Sequence, residues 1–262
     1  MSLKAIVLGE ANSGKTSICA EFASGGIGTG RSSLPPQPTI GTSFVALNIG
    51  GDDGNGDGDN DNNNNNNDNN NGVLNVWDTA GAELYRSIVP LYYRNVEVAV
   101  LVFDITNEPS FEKLDFWFRS FTNFYRNTPR CPPIVLVGNK CDLHADRQIS
   151  RYQAEAWMRD RCVTNDANDV TDATAANIVA YIETSTRTPT TGIVSLLNVI
   201  IEHATLERKA QAQVQQTTKQ RVKANATARF DTDDLDDDPS RVVVLTSRDD
   251  NNSSKTPNTR CC

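Results

Sequence analysis

Short apolar runs along the chain alternate with longer stretches in which apolar residues recur at helical spacing. Several of these runs are continuous in Val, Ile and Leu, which is typical of strands covered on both faces. The runs predict six strands, at residues 4–8, 44–49, 73–77, 96–103, 134–137 and 177–182. The longer stretches predict helices at residues 15–23, 84–92, 110–125, 151–161 and 192–206.

The order of these elements indicates an α/β fold. Strands that alternate with helices favour a three-layer α/β/α arrangement, in which helices cover both faces of a mostly parallel six-stranded sheet. No helix is predicted between the second and third strands. We therefore expect these two strands to form one antiparallel hairpin within the sheet.

Two segments lack the apolar residues that a folded core needs. Residues 51–72 consist only of Gly, Asp and Asn, and residues 207–262 start polar and become acidic. Such compositions cannot offset the entropy of ordering the backbone, so we interpret residues 51–72 as a disordered insertion in the hairpin loop. The chain then divides into one domain over residues 1–206 and a C-terminal tail over residues 207–262, whose polar start has helical character.

The acidic charge of the chain comes from the same two segments. The formal net charge is −8, but six Asp lie in residues 51–72 and six more in residues 231–238. The charge therefore describes solvated segments, and it argues against nucleic acid as a partner. The six Cys show neither metal-ligand spacing nor the framework of a small disulfide-stapled fold, which suits a reducing compartment. We expect no transmembrane helix, since no apolar run approaches about 18–20 residues. We also expect no signal peptide, since the first predicted strand begins at residue 4.

A phosphate-binding loop follows the first predicted strand directly. Residues 9–16 read GEANSGKT, a full match to the pattern G-x-x-x-x-G-K-[ST]. Its glycines let backbone N–H groups wrap an anion, and the helix that follows adds the positive end of its dipole. Lys15 reaches the outer phosphates, and the Thr16 hydroxyl is left to bind Mg²⁺. The nucleotide-binding residues predicted here are Glu10, Ala11, Asn12, Ser13, Gly14, Lys15, Thr16 and Ser17.

Three later segments indicate which nucleotide is bound. Residues 77–81 (WDTAG) place Asp78 where it can hold Mg²⁺ through water, and Gly81 where its N–H can approach a γ-phosphate. In residues 139–142 (NKCD), one carboxylate can accept both donors of the guanine edge, a pattern that adenine does not offer. Residues 183–187 (ETSTR) can close over the base. A P-loop nucleotide kinase is disfavoured, because residues 139–142 would then have no task.

These four motifs, in this order, resemble a Ras-superfamily small GTPase over about residues 3–206. Further segments are similar to signature segments of the Rab family: residues 40–44 (IGTSF), 77–81, 92–95 (YYRN), 101–106 (LVFDIT) and the terminal Cys261 and Cys262. The resemblance implies a P-loop NTPase fold and a Mg²⁺-dependent switch between GTP and GDP. It also implies GTP hydrolysis and the recruitment of effectors in vesicular traffic.

The same resemblance assigns roles to single residues. Thr39 would bind Mg²⁺ together with Thr16 and Asp78, and it would sense the γ-phosphate. The base would be held by Asn139, Lys140, Asp142, Ser185, Thr186 and Arg187. The aromatic triad that Rab proteins present to effectors is matched by Phe44, Trp77 and Tyr92, although core packing is the alternative role of Trp77.

One departure from the family falls on the catalytic machinery. The family has Gln after Asp-Thr-Ala-Gly, where it orients the attacking water, but this chain has Ala82. A methyl group neither donates nor accepts a hydrogen bond, so we expect slow intrinsic hydrolysis, with Lys15 and Gly81 as the remaining catalytic groups. The alternative is a GTP-locked scaffold without meaningful turnover, and a deliberately introduced Ala82 is a further explanation. The family resemblance also implies an activating protein of the TBC class, which inserts both an Arg and a Gln. Such a partner would restore hydrolysis.

The chain terminus carries the expected membrane anchor. The family resemblance implies geranylgeranyl groups on Cys261 and Cys262, and two lipids agree with the need for two signals in stable attachment. We expect the cytosolic face of endomembranes, with endosomes as one candidate, and a cytosolic pool. The implied partners are guanine nucleotide, effectors, an exchange factor, the TBC-type activating protein, an escort protein and a GDI-like chaperone. We expect a monomer.

Overall fold

The computed structural model describes residues 2–25, 39–49, 72–128, 130–162, 178–188 and 192–227, with side chains in the last range up to residue 214 and at residue 216. The predictions for Cys261, Cys262, the acidic tail and most of the Asn-rich insertion fall on residues outside this description. Residues Met1–Gln215 form one compact unit, and Gln216–Cys262 are assigned to a second.

The strands confirm the predicted fold class. They are β1 (Ser2–Gly9), β2 (Thr42–Ile49), β3 (Gly72–Thr79), β4 (Val98–Asp104), β5 (Ile134–Asn139) and β6 (Ile178–Thr184). All six correspond to predicted strands, and the five parallel ones run one or two residues further at their carboxyl ends. The motif residues that follow the apolar runs are therefore part of the sheet itself. For example, Asp104 pairs with Asn139, and Asn139 with Thr184.

The sheet has the order β2-β3-β1-β4-β5-β6. The pair β2 and β3 is antiparallel, and all other neighbours are parallel. Gly72, which the sequence analysis placed in the insertion, is the buried first residue of β3 and pairs with Ile49. The insertion thus joins the hairpin at the amino end of β3, the end away from Asp78.

The α-helices are α1 (Lys15–Ala23), α2 (Glu108–Glu112), α3 (Leu114–Tyr125), α4 (Arg151–Cys162) and α5 (Ile193–Thr227). The single helix predicted over residues 110–125 is two helices. The first starts early because the Asn107 side chain accepts a hydrogen bond from Ser110 N at 3.1 Å and Pro109 favours the first turn. Helix α5 extends past residue 206, the predicted end of the domain.

The prediction of a helix over residues 84–92 is wrong. Two short 3₁₀ turns, Glu83–Tyr85 and Val89–Tyr92, occupy this segment. Pro90 explains the difference, because proline has no N–H to donate within a helix and disfavours helical backbone in the residue before it.

Two apolar clusters, one on each face of the sheet, form the core. Trp117 and Phe121 of α3 pack with Trp157 of α4 on one face, together with Leu101 of the sheet. On the other face, α1 and α5 contribute Ile18, Phe22, Leu196 and Ile200. Both faces are thus covered by helices, as the continuous apolar strands predicted. No helix among the described residues is long and apolar enough to cross a lipid bilayer.

We predict that the fold does not need the Asn-rich insertion. Replacing residues 50–71 by Asn-Gly, a dipeptide suited to two-residue hairpin turns, should leave the melting temperature unchanged or raise it. A shorter loop has a smaller closure entropy, with a gain of about 2 kcal/mol at most. Thermal unfolding followed by circular dichroism tests this.

A Gly/Ser linker of the same length as residues 50–71 is the matched control, and it should melt like the full chain. A melting temperature lower by about 5 °C or more in the Asn-Gly variant would show that the insertion stabilises the fold.

Candidate nucleotide and metal site

The four sequence motifs lie at the carboxyl ends of the parallel strands. The phosphate loop follows β1, and Asp78 lies near the end of β3. Asn139 and Thr184 end β5 and β6. Because parallel strands present their carboxyl ends at one edge of the sheet, the motifs converge there. This edge is the usual place for ligands in open α/β sheets.

The phosphate loop, residues 9–16, is close-packed against its neighbours. Gly14 has a φ of 95°, and a Cβ at this position would lie 2.0 Å from Asn139 Nδ2. A Cβ on Gly9 would lie 2.1 Å from the carbonyl oxygen of Val102. Only glycine fits at either position. Ser13 is fully buried, whereas Ala11 and Asn12 are exposed, and Ser17 lies in the first turn of α1.

Lys15 supplies a buried positive charge next to this loop. Its side chain is 5% exposed, and Nζ donates a hydrogen bond to the carbonyl oxygen of Glu10 at 2.9 Å. Burial lowers the pKa of Lys15 to about 8, against the opposing attraction of Asp78 and Glu10. A cation held in this way is suited to a phosphate, whose negative charge would compensate the loss of water.

Three oxygen-bearing side chains form a compact cluster beside Lys15. The Thr16 hydroxyl donates to Asp78 Oδ2 at 2.7 Å, and the Thr39 hydroxyl donates to the same oxygen at 3.0 Å. The two hydroxyl oxygens are 3.0 Å apart. The structure therefore brings together the three predicted Mg²⁺ ligands, which come from α1, the residues before β2, and β3.

The cluster fits a magnesium ion. Mg²⁺ prefers oxygen ligands and is held by one or two carboxylates together with phosphate and water. Asp78 is 2% exposed, and its Oδ1 has no hydrogen-bond partner among the described residues, as expected of an oxygen that faces a cation site. No group of three or more His, Cys, Asp or Glu side chains able to hold a metal is found in the described ranges.

Three of the residues predicted to contact guanine are linked by hydrogen bonds through the Ser185 hydroxyl. Ser185 is buried, and its hydroxyl donates to Asp142 Oδ1 at 2.6 Å. The same hydroxyl oxygen accepts the backbone N–H of Arg187 at 3.1 Å. Asp142 and Thr186 are half-buried, and Arg187 is exposed. The Asp142 carboxylate is thus oriented by the loop that follows β6.

Asn139 has an internal role that the sequence analysis did not predict. Its Nδ2 donates to the Ser13 carbonyl at 2.9 Å, and its Oδ1 accepts from the Thr184 hydroxyl at 3.0 Å. The contact of Asn139 with guanine stays a prediction. The residue is 1% exposed. Its amide therefore joins the phosphate loop to both loops of the predicted base site.

Sequence reasoning missed two further charged groups at this edge, the Asp104 carboxylate and the Arg147 guanidinium. Asp104 Oδ2 forms an ion pair with Lys140 at 2.6 Å, and Lys140 has a φ of 65°. Asp104 lies in the segment LVFDIT, which was recognised as a signature without a role for the carboxylate. Arg147 binds Glu183 in a bidentate manner at 2.9 and 2.8 Å and lowers its pKa. No sequence signal identified Arg147.

The aromatic triad is a continuous surface. The register of β2 and β3 places Phe44 opposite Trp77, and their ring centroids are 5.6 Å apart. Trp77 and Tyr92 are 5.5 Å apart. Phe44 is 60% exposed, while Trp77 and Tyr92 are half-buried and pack against the core, which is the alternative role considered for Trp77. Ala82, exposed and extended, begins the turn after Gly81.

Comparison with known proteins agrees with this arrangement. A family model described as the Ras family matches residues 4–203. The chain is 31% identical to the Ras-related protein Rab-7a of Paramecium octaurelia over 159 residues, which are 60% of this chain and 66% of that protein. It is 33% identical to the Ras-related protein RABG3b of Arabidopsis thaliana over 164 residues, with 61% and 70% covered. It is 30% identical to the Ras-related protein Rab7 of Drosophila melanogaster over 216 residues, with 81% and 84% covered.

The fold and the site thus define a P-loop protein whose sheet carries nucleotide motifs at one edge. The chain belongs to the Ras family, as a Rab-like small GTPase.

We predict that Lys15 destabilises the protein when no nucleotide is bound. Lys15→Met keeps most of the apolar stem and removes the buried charge. Because folding lowers the pKa of Lys15 to about 8, the variant should be more stable than the wild type at pH 7, by about 1–3 kcal/mol. Urea unfolding of both nucleotide-free proteins measures the difference.

The difference should depend on pH in a defined direction. Between pH 8 and 10.5 the unfolded chain binds more protons than the folded one, so wild-type stability rises with pH and the gap to Lys15→Met closes. Lys209→Met, which removes an exposed lysine of α5, is the control. The difference in stability between this variant and the wild type should not change with pH over the same range. A gap that stays constant over this range would refute the assignment.

Proposed function

We propose that this chain is a Mg²⁺-dependent switch that binds GTP and GDP, hydrolyses GTP slowly without help, and recruits effectors in vesicular traffic. One observation carries the proposal: the Thr16, Thr39 and Asp78 oxygens meet within 3.0 Å of one another beside the buried Lys15 ammonium. Membership of the Ras family supports the same conclusion.

The phosphates would be bound by the loop at residues 9–16 and by Lys15. Backbone N–H groups of the loop and of Gly81 bind phosphate oxygens, and the Lys15 ammonium neutralises their charge. Thr16, Thr39 and Asp78 are the residues that would hold Mg²⁺. When bound, this ion would stabilise the negative charge on the outer phosphates. Thr39 lies shortly before β2, so its hydroxyl would couple this part of the chain to the ligand.

The base would be selected by Asp142. Guanine offers two adjacent donors on one edge, and a single carboxylate can accept both. The hydrogen bond from Ser185 holds this carboxylate in place, so it is pre-oriented for the base. Adenine would leave the half-buried carboxylate without matching donors, which disfavours its binding.

Hydrolysis would be slow because Ala82 cannot orient water. Phosphoryl transfer depends mostly on positioning and on charge stabilisation, so the loss of the positioning group lowers the rate and leaves binding intact. A GTP-locked scaffold is the second candidate, and the same methyl group favours it. A TBC-type activating protein that supplies the missing group would restore turnover.

The aromatic surface of Phe44, Trp77 and Tyr92 would bind effectors. Three further apolar residues near the triad in the chain are exposed: Ile40 is 81%, Leu84 79% and Leu91 75% exposed. Apolar patches of this kind mark interaction sites. Because Ile40 follows Thr39 directly and Leu84 follows Ala82 by two residues, the patch adjoins the segments that would contact the γ-phosphate.

The remaining parts of the proposal concern the membrane. Prenylation of Cys261 and Cys262 would attach the protein to the cytosolic face of endomembranes, with endosomes as one candidate and a cytosolic pool. An escort protein would present the chain for prenylation, and a GDI-like chaperone would extract it. An exchange factor would load GTP, and a monomer suffices for all these steps.

We predict that Asp142→Asn abolishes the preference for guanine. The Asn amide replaces one of the two acceptor oxygens by an NH2 group, which faces a donor of guanine. GDP affinity should therefore fall by about a hundredfold or more. Xanthine carries an acceptor at one of these positions, so xanthosine diphosphate should bind the variant better than GDP does. Equilibrium titration with fluorescent GDP, and competition by ADP and xanthosine diphosphate, measures these affinities.

Asp146→Asn, an exposed change in the same loop, is the matched control and should bind GDP like the wild type. The proposal fails if the wild type does not prefer GDP over ADP, or if Asp142→Asn keeps that preference.

We predict that Ala82→Gln accelerates intrinsic hydrolysis. The amide can orient the attacking water, so the single-turnover rate should rise by about tenfold or more at saturating Mg²⁺. Ala82→Leu adds similar bulk without hydrogen-bonding groups and should stay as slow as the wild type.

Equal acceleration by Gln and Leu would contradict the role of position 82. The locked scaffold is favoured instead if freshly purified wild type carries GTP and a TBC-type activating domain fails to stimulate its hydrolysis.

A further inference from the structure

Arg86 connects the phosphate loop with the turn that follows Gly81. Its NH2 group lies 2.6 Å from Glu10 Oε2, and its NH1 group lies 3.0 Å from Glu83 Oε1. The guanidinium carbon is 4.8 Å from the centroid of the Phe116 ring in α3. Arg86 is thus held from three sides, by the phosphate loop, by its own turn and by α3.

The Glu10–Arg86 pair is partly shielded from water. The two side chains are 19% and 17% exposed, whereas the other partner, Glu83, is 74% exposed. Shielded ion pairs are less weakened by solvent than exposed ones. The guanidinium also lies over the Phe116 ring, and this cation–π contact helps to hold Arg86 in place. The contact with Glu10 is therefore the stronger tether of the two.

The tether acts on a segment with little packing of its own. The turn Glu83–Tyr85 contains no buried residue, and Leu84 is 79% exposed. Directly before it, the Gly81 backbone lies against the phosphate loop: a Cβ on Gly81 would be 2.5 Å from Ala11 N. The Glu10–Arg86 pair bridges the same two segments a few residues further on, and so maintains this approach.

We propose that Arg86 is a positioning residue that holds residues 81–86 against the phosphate loop through Glu10 and thereby favours GTP over GDP. The inference rests on the proposed function. Gly81 N–H would contact the γ-phosphate, which GDP lacks, so holding this segment strengthens the binding of GTP and leaves GDP binding nearly unaffected. Differential interaction of this kind shifts a switch toward one state. In a chain with Ala82, it adds to the bias toward the GTP-bound state.

The test compares the dissociation of two fluorescent nucleotides, GDP and a non-hydrolysable GTP analogue, at saturating Mg²⁺. Arg86→Gln should accelerate release of the analogue about fivefold and change GDP release less than twofold. Glu83→Gln removes only the exposed partner of Arg86 and should leave both rates like the wild type. Arg86→Lys keeps the charge and should restore part of the difference.

Glu10→Gln tests the pair itself. If Glu10 and Arg86 act together, the double variant Glu10→Gln/Arg86→Gln should release the analogue no faster than the quicker single variant. The proposal is overturned if Arg86→Gln accelerates both nucleotides equally, if it changes neither, or if Glu83→Gln has the same effect. Failure of the wild type to bind either nucleotide would instead refute the proposed function.

Discussion

The side-chain amide of Asn139 is the constraint on which the site depends. It is buried and bonds both to the Ser13 carbonyl and to the Thr184 hydroxyl, so three loops share one rigid junction. A Cβ on Gly14 would collide with this amide, so the close approach of the phosphate loop requires glycine there. The paired ends of β5 and β6 place Asn139 and Thr184 side by side, and the sheet thereby sets the geometry of the loops.

The same edge of the sheet carries polar groups that the fold by itself does not need. Lys15 is buried as a cation, and one oxygen of Asp78 is buried without a hydrogen bond among the described residues. Each lowers the stability of the folded chain, since burial of charge is unfavourable unless it is compensated. A ligand with phosphate and a divalent cation compensates both. The site is thus adapted to its proposed ligand at the expense of stability.

Several parts of the fold and site were predictable because their signals are local. The short apolar runs predicted all six strands, and the glycine pattern predicted the loop between β1 and α1. The helix over residues 84–92 failed because Pro90 overrides the apolar spacing. The hydrogen bonds of Asn139 to Ser13 and Thr184 were not predicted, because the motif names the residue without its partners. Arg147 and Asp104 escaped notice, since a single charged residue in a sequence does not indicate which opposite charge it will meet.

By itself, the sequence determined which chemical groups are present and the order in which they follow the strands, because strand periodicity and loop motifs are written in adjacent residues. Only the tertiary structure decided which groups meet. Asn139 and Ser13 are separated by 126 positions, and Arg86 and Glu10 by 76. Such contacts arise from strand order and register, which bring distant segments together, and no local pattern in the chain encodes the resulting distances.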